Sequence, residues 1–291
     1  MNDGRLVILA GGISSRMKKP AEHELTVDSH LIEDADTKSK SMIGVGKNYR
    51  PFLDYLLYNA RKSGYLDVVI VVGEKDNSIR EYYGNKDVNN DFKGLKISYA
   101  IQLIPEGRAK PLGTADALLQ GLKLKKEWNG NKLTVCNSDN LYSQNALRLM
   151  LESPYPSSLI DYDRNSLEFE QSRIEKFAVT IKNKKGFLID IIEKPSAETI
   201  EKLQTENGYV GVSMNIFSLD YDLIIPILEK IKPHPVRDEK ELPEAVKILA
   251  NELTNSVFGY PLAEHVPDLT SKSDIIRVKE YLEKHYKDII K

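Results

Sequence analysis

The sequence predicts a three-layer α/β/α fold around a mostly parallel central sheet, with a β-hairpin lobe to one side. Three observations predict it. Short β-branched runs alternate with helical patterns, the runs are apolar on both sides of the pleat, and the first of them ends in a glycine pair. Strands of this kind are buried on both faces, and alternation with helices calls for right-handed crossovers. A chain of 291 residues can hide roughly three quarters of its unfolded surface. No repeat or low-complexity linker divides it, so residues 1–291 are expected to form a single domain.

The strand candidates of the first half are Leu6–Ala10, Asp67–Gly73, Leu95–Gln102 and Leu133–Cys136. Between them, Phe52–Ser63 carries an apolar helical stripe that stops at Gly64, a residue suited to a helix C-cap. Thr114–Leu124 and Gln144–Glu152 read as further helices. In the second half, Lys176–Lys182 and Phe187–Glu193 flank a Lys184-Lys185-Gly186 turn and predict a hairpin. Tyr209–Leu219 reads as a strand, Glu241–Asn251 as a helix and Ser256–Leu262 as a late strand. Residues 266–291 are expected to be a C-terminal helical segment, with Ile275, Val278, Leu282 and Ile289 at helical spacing. From Lys18 to Lys40 the pattern collapses into polar residues with six acids (Glu22, Glu24, Asp28, Glu33, Asp34, Asp36). That stretch, 18–40, is expected to be a solvated loop insertion.

Lys+Arg 41 against Asp+Glu 43 gives a net charge of −2. No basic excess points to nucleic acid or an anionic membrane. Cys136 is the single cysteine, so no internal disulfide forms, which favours a reducing, cytoplasmic setting. The apolar run Leu6–Ala10 is far too short for a span of ~20 residues or a secretory signal. The five histidines (His23, His30, His234, His265, His285) show no metal-ligand spacing. No GxSxG elbow or GxGxxG is present, and Ile43–Asn48 (IGVGKN) lacks the Ser/Thr of a P-loop.

The most informative stretch is Leu9–Met17 (LAGGISSRM), directly after the first strand. Ligands of open parallel sheets bind at carboxyl strand ends. There Leu9 and Ala10 lead into Gly11 and Gly12, which would present backbone N–H groups to an anion with no Cβ in the way, and Arg16 adds a forked cation suited to phosphate. Lys40 reads as a second phosphate contact. A glycine-rich turn with a surface arginine is an equal reading on these residues alone. Gln102, at a strand end, can read the edge of a base, and Gly113-Thr114, opening a helix, would let a flat ring lie close. A capped helix start is the competing explanation. Asp139, in Asn137-Ser138-Asp139-Asn140 at the end of a buried strand, offers hard oxygen to Mg²⁺ or caps the next helix. Glu193-Lys194-Pro195 ends the hairpin with a lysine able to grip phosphate. Glu244 opens a helix, where an acid suits the dipole without further purpose.

Taken in order, these segments resemble the sugar-1-phosphate nucleotidyltransferases, the family of glucose-1-phosphate thymidylyl- and uridylyltransferases. Leu9–Met17 is similar to the opening signature, Lys40 in SKSMIGVGKNYRPFLDY to the signature lysine, and Gln102 with Leu112–Ala115 to the base-binding segment. Asp139 is similar to the metal Asp, Glu193–Pro195 to the Glu-Lys-Pro motif, and Gly211–Asn215 to a later strand motif. The resemblance runs from about Leu6 to about Gly259. It implies the Rossmann-like nucleotide-diphospho-sugar transferase fold and a reaction joining an NTP and a sugar 1-phosphate into an NDP-sugar and pyrophosphate. The lean is to UTP or dTTP, because Gln102 suits uracil or thymine.

The resemblance further implies Arg16, Lys40 and Lys194 as catalytic groups and Mg²⁺ as cofactor, held by Asp139 and by Glu244 where the family has a second Asp. Asn140, Glu193, Lys194, Gly211 and Asn215 would take the sugar phosphate. The partners implied are these small molecules, with no nucleic acid and no membrane, and a homo-oligomer is left open. This chain departs from the family in the 18–40 insertion, in Glu244, and in lacking a clear Trp-x-Asp-x-Gly-Thr-Pro segment, near whose place His265–Asp274 (HVPDLTSKSD) stands. Those departures motivate one alternative, a non-catalytic nucleotide-sugar binder. A glycosyltransferase is less supported, since the first acid of Asp-x-Asp is replaced by Asn137.

Overall fold

The structure is a computed structural model that describes residues 4–19 and 28–287. Among these residues, ten strands form one sheet: β1 (Gly4–Ala10), β2 (Tyr65–Gly73), β3 (Asn90–Phe92), β4 (Leu95–Gln102), β5 (Lys132–Asn137), β6 (Ser157–Asp163), β7 (Val179–Lys182), β8 (Leu188–Ile192), β9 (Gly211–Asp220) and β10 (Val257–Leu262). The helices are α1 (Ser29–Thr37), α2 (Phe52–Ser63), α3 (Ser78–Tyr83), α4 (Thr114–Leu124), α5 (Gln144–Glu152), α6 (Gln171–Ile174), α7 (Ala197–Asn207), α8 (Tyr221–Lys230), α9 (Leu242–Glu252) and α10 (Asp274–His285).

The sheet runs β10-β6-β9-β5-β1-β2-β4-β3, with β7 and β8 attached through β9. β9 is antiparallel to both β5 and β6, so β1, β2, β4, β5, β6 and β10 all point one way. The mostly parallel sheet is therefore as expected, but it is parted by one reversed strand. The pleat of β1 shows why its residues are apolar throughout. Leu6, Ile8 and Ala10 join the core formed with α2, α5 and α10, whereas Val7 and Leu9 join the core under α4, α8 and α9. Each such aliphatic side chain, once buried, contributes about 1.5–3 kcal/mol. α2 ends where expected: Gly64 adopts φ 102 and its N–H reaches the carbonyls of Ala60 and Arg61.

Two expectations need correction. The 18–40 stretch is not a loop throughout, because Ser29–Thr37 is helix α1. The Asp28 side chain caps it by accepting from the His30 N–H at 3.0 Å, and Leu31 and Ala35 enter the core. Asp34, one of the acids read as solvated, is buried; it pairs with Lys38 at 2.6 Å and accepts from the Gly44 N–H at 3.0 Å. Glu22, His23 and Glu24 lie outside the described residues, as does Ile289. The second correction concerns residues 266–291: the segment before α10 is not helical but runs alongside Asn140, with a bridge from Asn140 to Asp268. Six elements, β3, β6, α3, α6, α7 and α8, had no counterpart in the sequence reading. No helix among the described residues is long and apolar enough to cross a membrane.

Candidate active site

Strand register brings the motif-bearing residues to one edge. Ala10 lies beside Val72, Gly73 beside Gln102, and Leu9 beside Asn137. The segments leaving β1, β4 and β5 therefore emerge together at the carboxyl ends, where α/β sheets bind ligands. They enclose a cavity of about 360 Å³, within the ~300–1,000 Å³ range of small-molecule sites. Leu9, Ala10, Gly11 and Gly12 form one side of it. Gln102, Gly113 and Thr114 form another, and Lys40 and Asp139 a third. Gly113 takes φ 109, and a Cβ there would stand 2.6 Å from the Lys240 carbonyl, so both conformation and space require glycine.

Lys40 reaches the site because of α1. The Asp34 carboxylate holds the Gly44 turn, and between them a short 3₁₀ turn, Lys40–Met42, delivers the Lys40 Nζ to Asp139 Oδ2 at 2.8 Å. A second acid stands beside this pair. The Leu269 N–H donates to the Asp139 carbonyl at 2.8 Å and the Leu141 N–H to the Pro267 carbonyl at 2.9 Å, which fastens the strand carrying Asp268 against Asp139. Burial, and next the charge of Asp139, push the Asp268 carboxyl up to about 6. Arg173 opposes that rise, pairing with Asp268 at 2.7 Å and with Asp274 at 2.5 Å. α1 also ties down this strap: Lys272 pairs with Asp36 at 2.6 Å.

Glu244 does not join Asp139. Its side chain is half exposed, 4.0 Å from Lys247, and faces a different cavity between α8 and α9. Helix α9 points its first turn at that groove because Leu242, Ala245 and Val246 are the residues it buries. The acid beside Asp139 is Asp268, which the sequence reading passed over. The signal was the Asp268-Leu269-Thr270 run near the place of the absent Trp-x-Asp-x-Gly-Thr-Pro segment.

The remaining expected residues do not line the cavity. Arg16 is exposed on the turn just past Ser15, which does line it. Asn140 is buried with its Oδ1 accepting from the Tyr142 hydroxyl at 3.4 Å. Glu193 pairs with Arg237 at 2.5 Å, and Lys194 is exposed with φ 49. On β9, Gly211 lies so close to the Asp161 carboxylate that a Cβ would overlap it. Asn215 takes φ 56 and offers its carbonyl to Tyr142 at 3.3 Å. Sequence reasoning also missed Lys110 and Glu239, which line the cavity as an ion pair of 2.6 Å.

Asp139, in the cavity wall, and Asp268, close enough for its carboxyl to feel the charge of Asp139, each offer hard oxygen, and Mg²⁺ typically takes one or two carboxylates and completes its shell with water and substrate phosphates. No group of three or more His, Cys, Asp or Glu suited to a metal occurs among the described residues. The two acids fit an ion that shares its shell with a phosphorylated substrate, and do not make a closed structural cage.

A glycine-lined strand-end cavity walled by a lysine–aspartate pair defines an α/β protein with a polar site at the carboxyl edge of its sheet. The sequence matches the family Nucleotidyl transferase over residues 6–259, and the chain belongs to that family. It is 29% identical over 145 residues to the D-glycero-alpha-D-manno-heptose 1-phosphate guanylyltransferase of Campylobacter jejuni, covering 50% of this chain and 52% of that one. It is 24% identical over 249 residues to the bifunctional protein GlmU of Staphylococcus haemolyticus, covering 84% of this chain and 45% of the relative. The chain thus spans about half the length of these curated relatives. A UDP-glucose pyrophosphorylase solved with UDP-glucose has the same fold, with TM-score 0.67, 17% identity, and 97% and 99% of the two chains covered.

Proposed function

We propose that the protein is a sugar-1-phosphate nucleotidyltransferase that joins an NTP, UTP or dTTP, to a sugar 1-phosphate. A phosphate oxygen of the sugar attacks the α-phosphorus in line, the bond to the β-phosphate oxygen breaks, and pyrophosphate leaves with that bond's electron pair. No protein nucleophile is required. The observation that carries this reading is the Lys40–Asp139 pair in the wall of the cavity that the Gly11-Gly12 turn also lines, with Asp268 close enough for the charge of Asp139 to raise its carboxyl.

In this reading the amides around Gly11 and Gly12, with Arg16 at the rim, hold the β- and γ-phosphates of the leaving group. Gln102, Gly113 and Thr114 take the base. Lys40 neutralises charge on the phosphates, and Lys194, which forms no ion pair among the described residues, supplies a cation on the hairpin side for the sugar phosphate. Mg²⁺, held by Asp139 and Asp268, would supply charge neutralisation at the α-phosphate. Most of the rate enhancement then comes from alignment and electrostatics. Asp268 answers the departure at Glu244 that motivated a non-catalytic binder.

The test is pyrophosphate release across a grid of NTPs and sugar 1-phosphates, with and without EDTA. Asp139→Asn is expected to lower kcat by on the order of 10²–10³, as loss of one preorganised electrostatic partner does. Wild-type turnover in that variant, or release that ignores EDTA, would refute the assignment.

A further inference from the structure

We propose that Asp116 is a positioning residue: it fixes the Gln102 amide as a hydrogen-bond acceptor toward the nucleobase, so the site selects bases that carry an N–H at their pairing edge. This rests on the nucleotide reading above. Gln102 ends β4 and is 3% exposed. Its Nε2 donates to the Gly113 carbonyl at 2.8 Å and to Asp116 Oδ2 at 2.8 Å, which uses both amide protons. A carbonyl and an ionised carboxylate accept only. Turning the amide over would set its oxygen against two oxygens, so the network dictates which end faces out.

The end that remains is Oε1. It lies 2.8 Å from the position a Cβ on Gly11 would occupy, at the wall shared by Gly11 and Gly113, and no donor among the described residues meets it. Asp116 is itself held in place. It stands on the first turn of α4, where the helix dipole favours negative charge, and its Oδ1 accepts from Gln120 Nε2 at 3.1 Å. It is buried behind Gln102 and does not line the cavity. Its effect on a ligand therefore passes through the amide it orients.

The chemical consequence is a rule for bases. Uracil and thymine present N3–H at the pairing edge and guanine presents N1–H, each of which can donate to Gln102 Oε1. Cytosine N3 and adenine N1 are bare acceptors there, and would face that oxygen lone pair to lone pair. A site whose buried polar group is left unpaired by the wrong ligand discriminates strongly.

The experiment compares wild type and Asp116→Asn with UTP, CTP, GTP and ATP, by kcat/KM for pyrophosphate release and by calorimetric affinity, which needs no turnover. In the wild type, UTP is expected to exceed CTP, and GTP to exceed ATP, by on the order of 10². Asn can present an NH₂ to Gln102, so only the Gly113 carbonyl still opposes a turned amide and the orientation loosens. Both ratios should then fall by about tenfold, through KM and affinity more than kcat. A uniform loss with unchanged ratios would show that Asp116 only supports the fold, and would overturn the proposal. A wild type that turns over but prefers CTP or ATP would overturn it and leave the transferase reading standing. Binding that favours UTP and GTP without pyrophosphate release under any condition would remove the transferase reading and keep the acceptor rule. If Asp116→Asn does not fold, the wild-type ratios and affinities decide alone.

Discussion

Asp268→Asn should make the metal-free protein more stable at alkaline pH while removing its activity. The carboxyl of Asp268 rises from its ordinary 3.8 to about 6, first because it is buried and next because Asp139 is charged beside it. An acid with a raised native pKa holds its proton more tightly when folded. Between pH 3.8 and 6 the unfolded chain therefore sheds the proton first, and stability falls as pH rises through that window. At 1.36 kcal/mol per pH unit the full loss is about 3 kcal/mol by pH 7. Asn imitates the protonated acid, and Arg173 keeps its 2.5 Å pair with Asp274. Urea unfolding in EDTA should thus show equal stabilities near pH 4, with the variant ahead by up to about 3 kcal/mol at pH 8. Pyrophosphate release with Mg²⁺ should drop by on the order of 10²–10³. A variant less stable than wild type at pH 8, or a difference that does not vary with pH, would refute the reasoning.

Two further substitutions probe other parts of the structure. Glu244→Gln, in the groove between α8 and α9, should leave kcat/KM within about twofold and stability within about 0.5 kcal/mol, as for a surface change; a loss near that of Asp139→Asn would return Glu244 to the site. Gly211→Ala places a methyl against Asp161, which is fully buried and bound by Thr180, Lys182 and Tyr209. Overpacking of that network should cost about 1–3 kcal/mol in denaturant unfolding, and an unchanged midpoint would show that the Asp161 cluster yields freely.

The sheet was legible because its strands are apolar on both sides and its first crossover carries an apolar helical stripe that ends on a clear signal, Gly64. The strand-end residues Gly11, Gln102 and Asp139 were legible for the same reason, since parallel register alone brings them to one edge. What escaped was long-range. α1 looks polar because its burial depends on two residues, Leu31 and Ala35, and its acid Asp34 is consumed by a turn ten positions on. Asp268 escaped because its Asp-Leu-Thr run only loosely resembles the segment expected there; pairing with Asn140 is what gives it a place. Glu244 attracted attention through a helix-start motif that has its own local explanation. The reversed strand β9 carries no mark in its composition, being as apolar as its parallel neighbours.

The pairing of Asn140 with Asp268 has a consequence for biosynthesis. The walls of the cavity belong to segments that leave the ribosome before this strap, and domains tend to acquire structure from the N-terminus as they are translated. The nascent chain can lay down most of its sheet and the Gly11-Gly12 turn while Asp268 is still untranslated. The pairing beside Asn140 therefore waits until the strap has been translated and docks against a segment already in place.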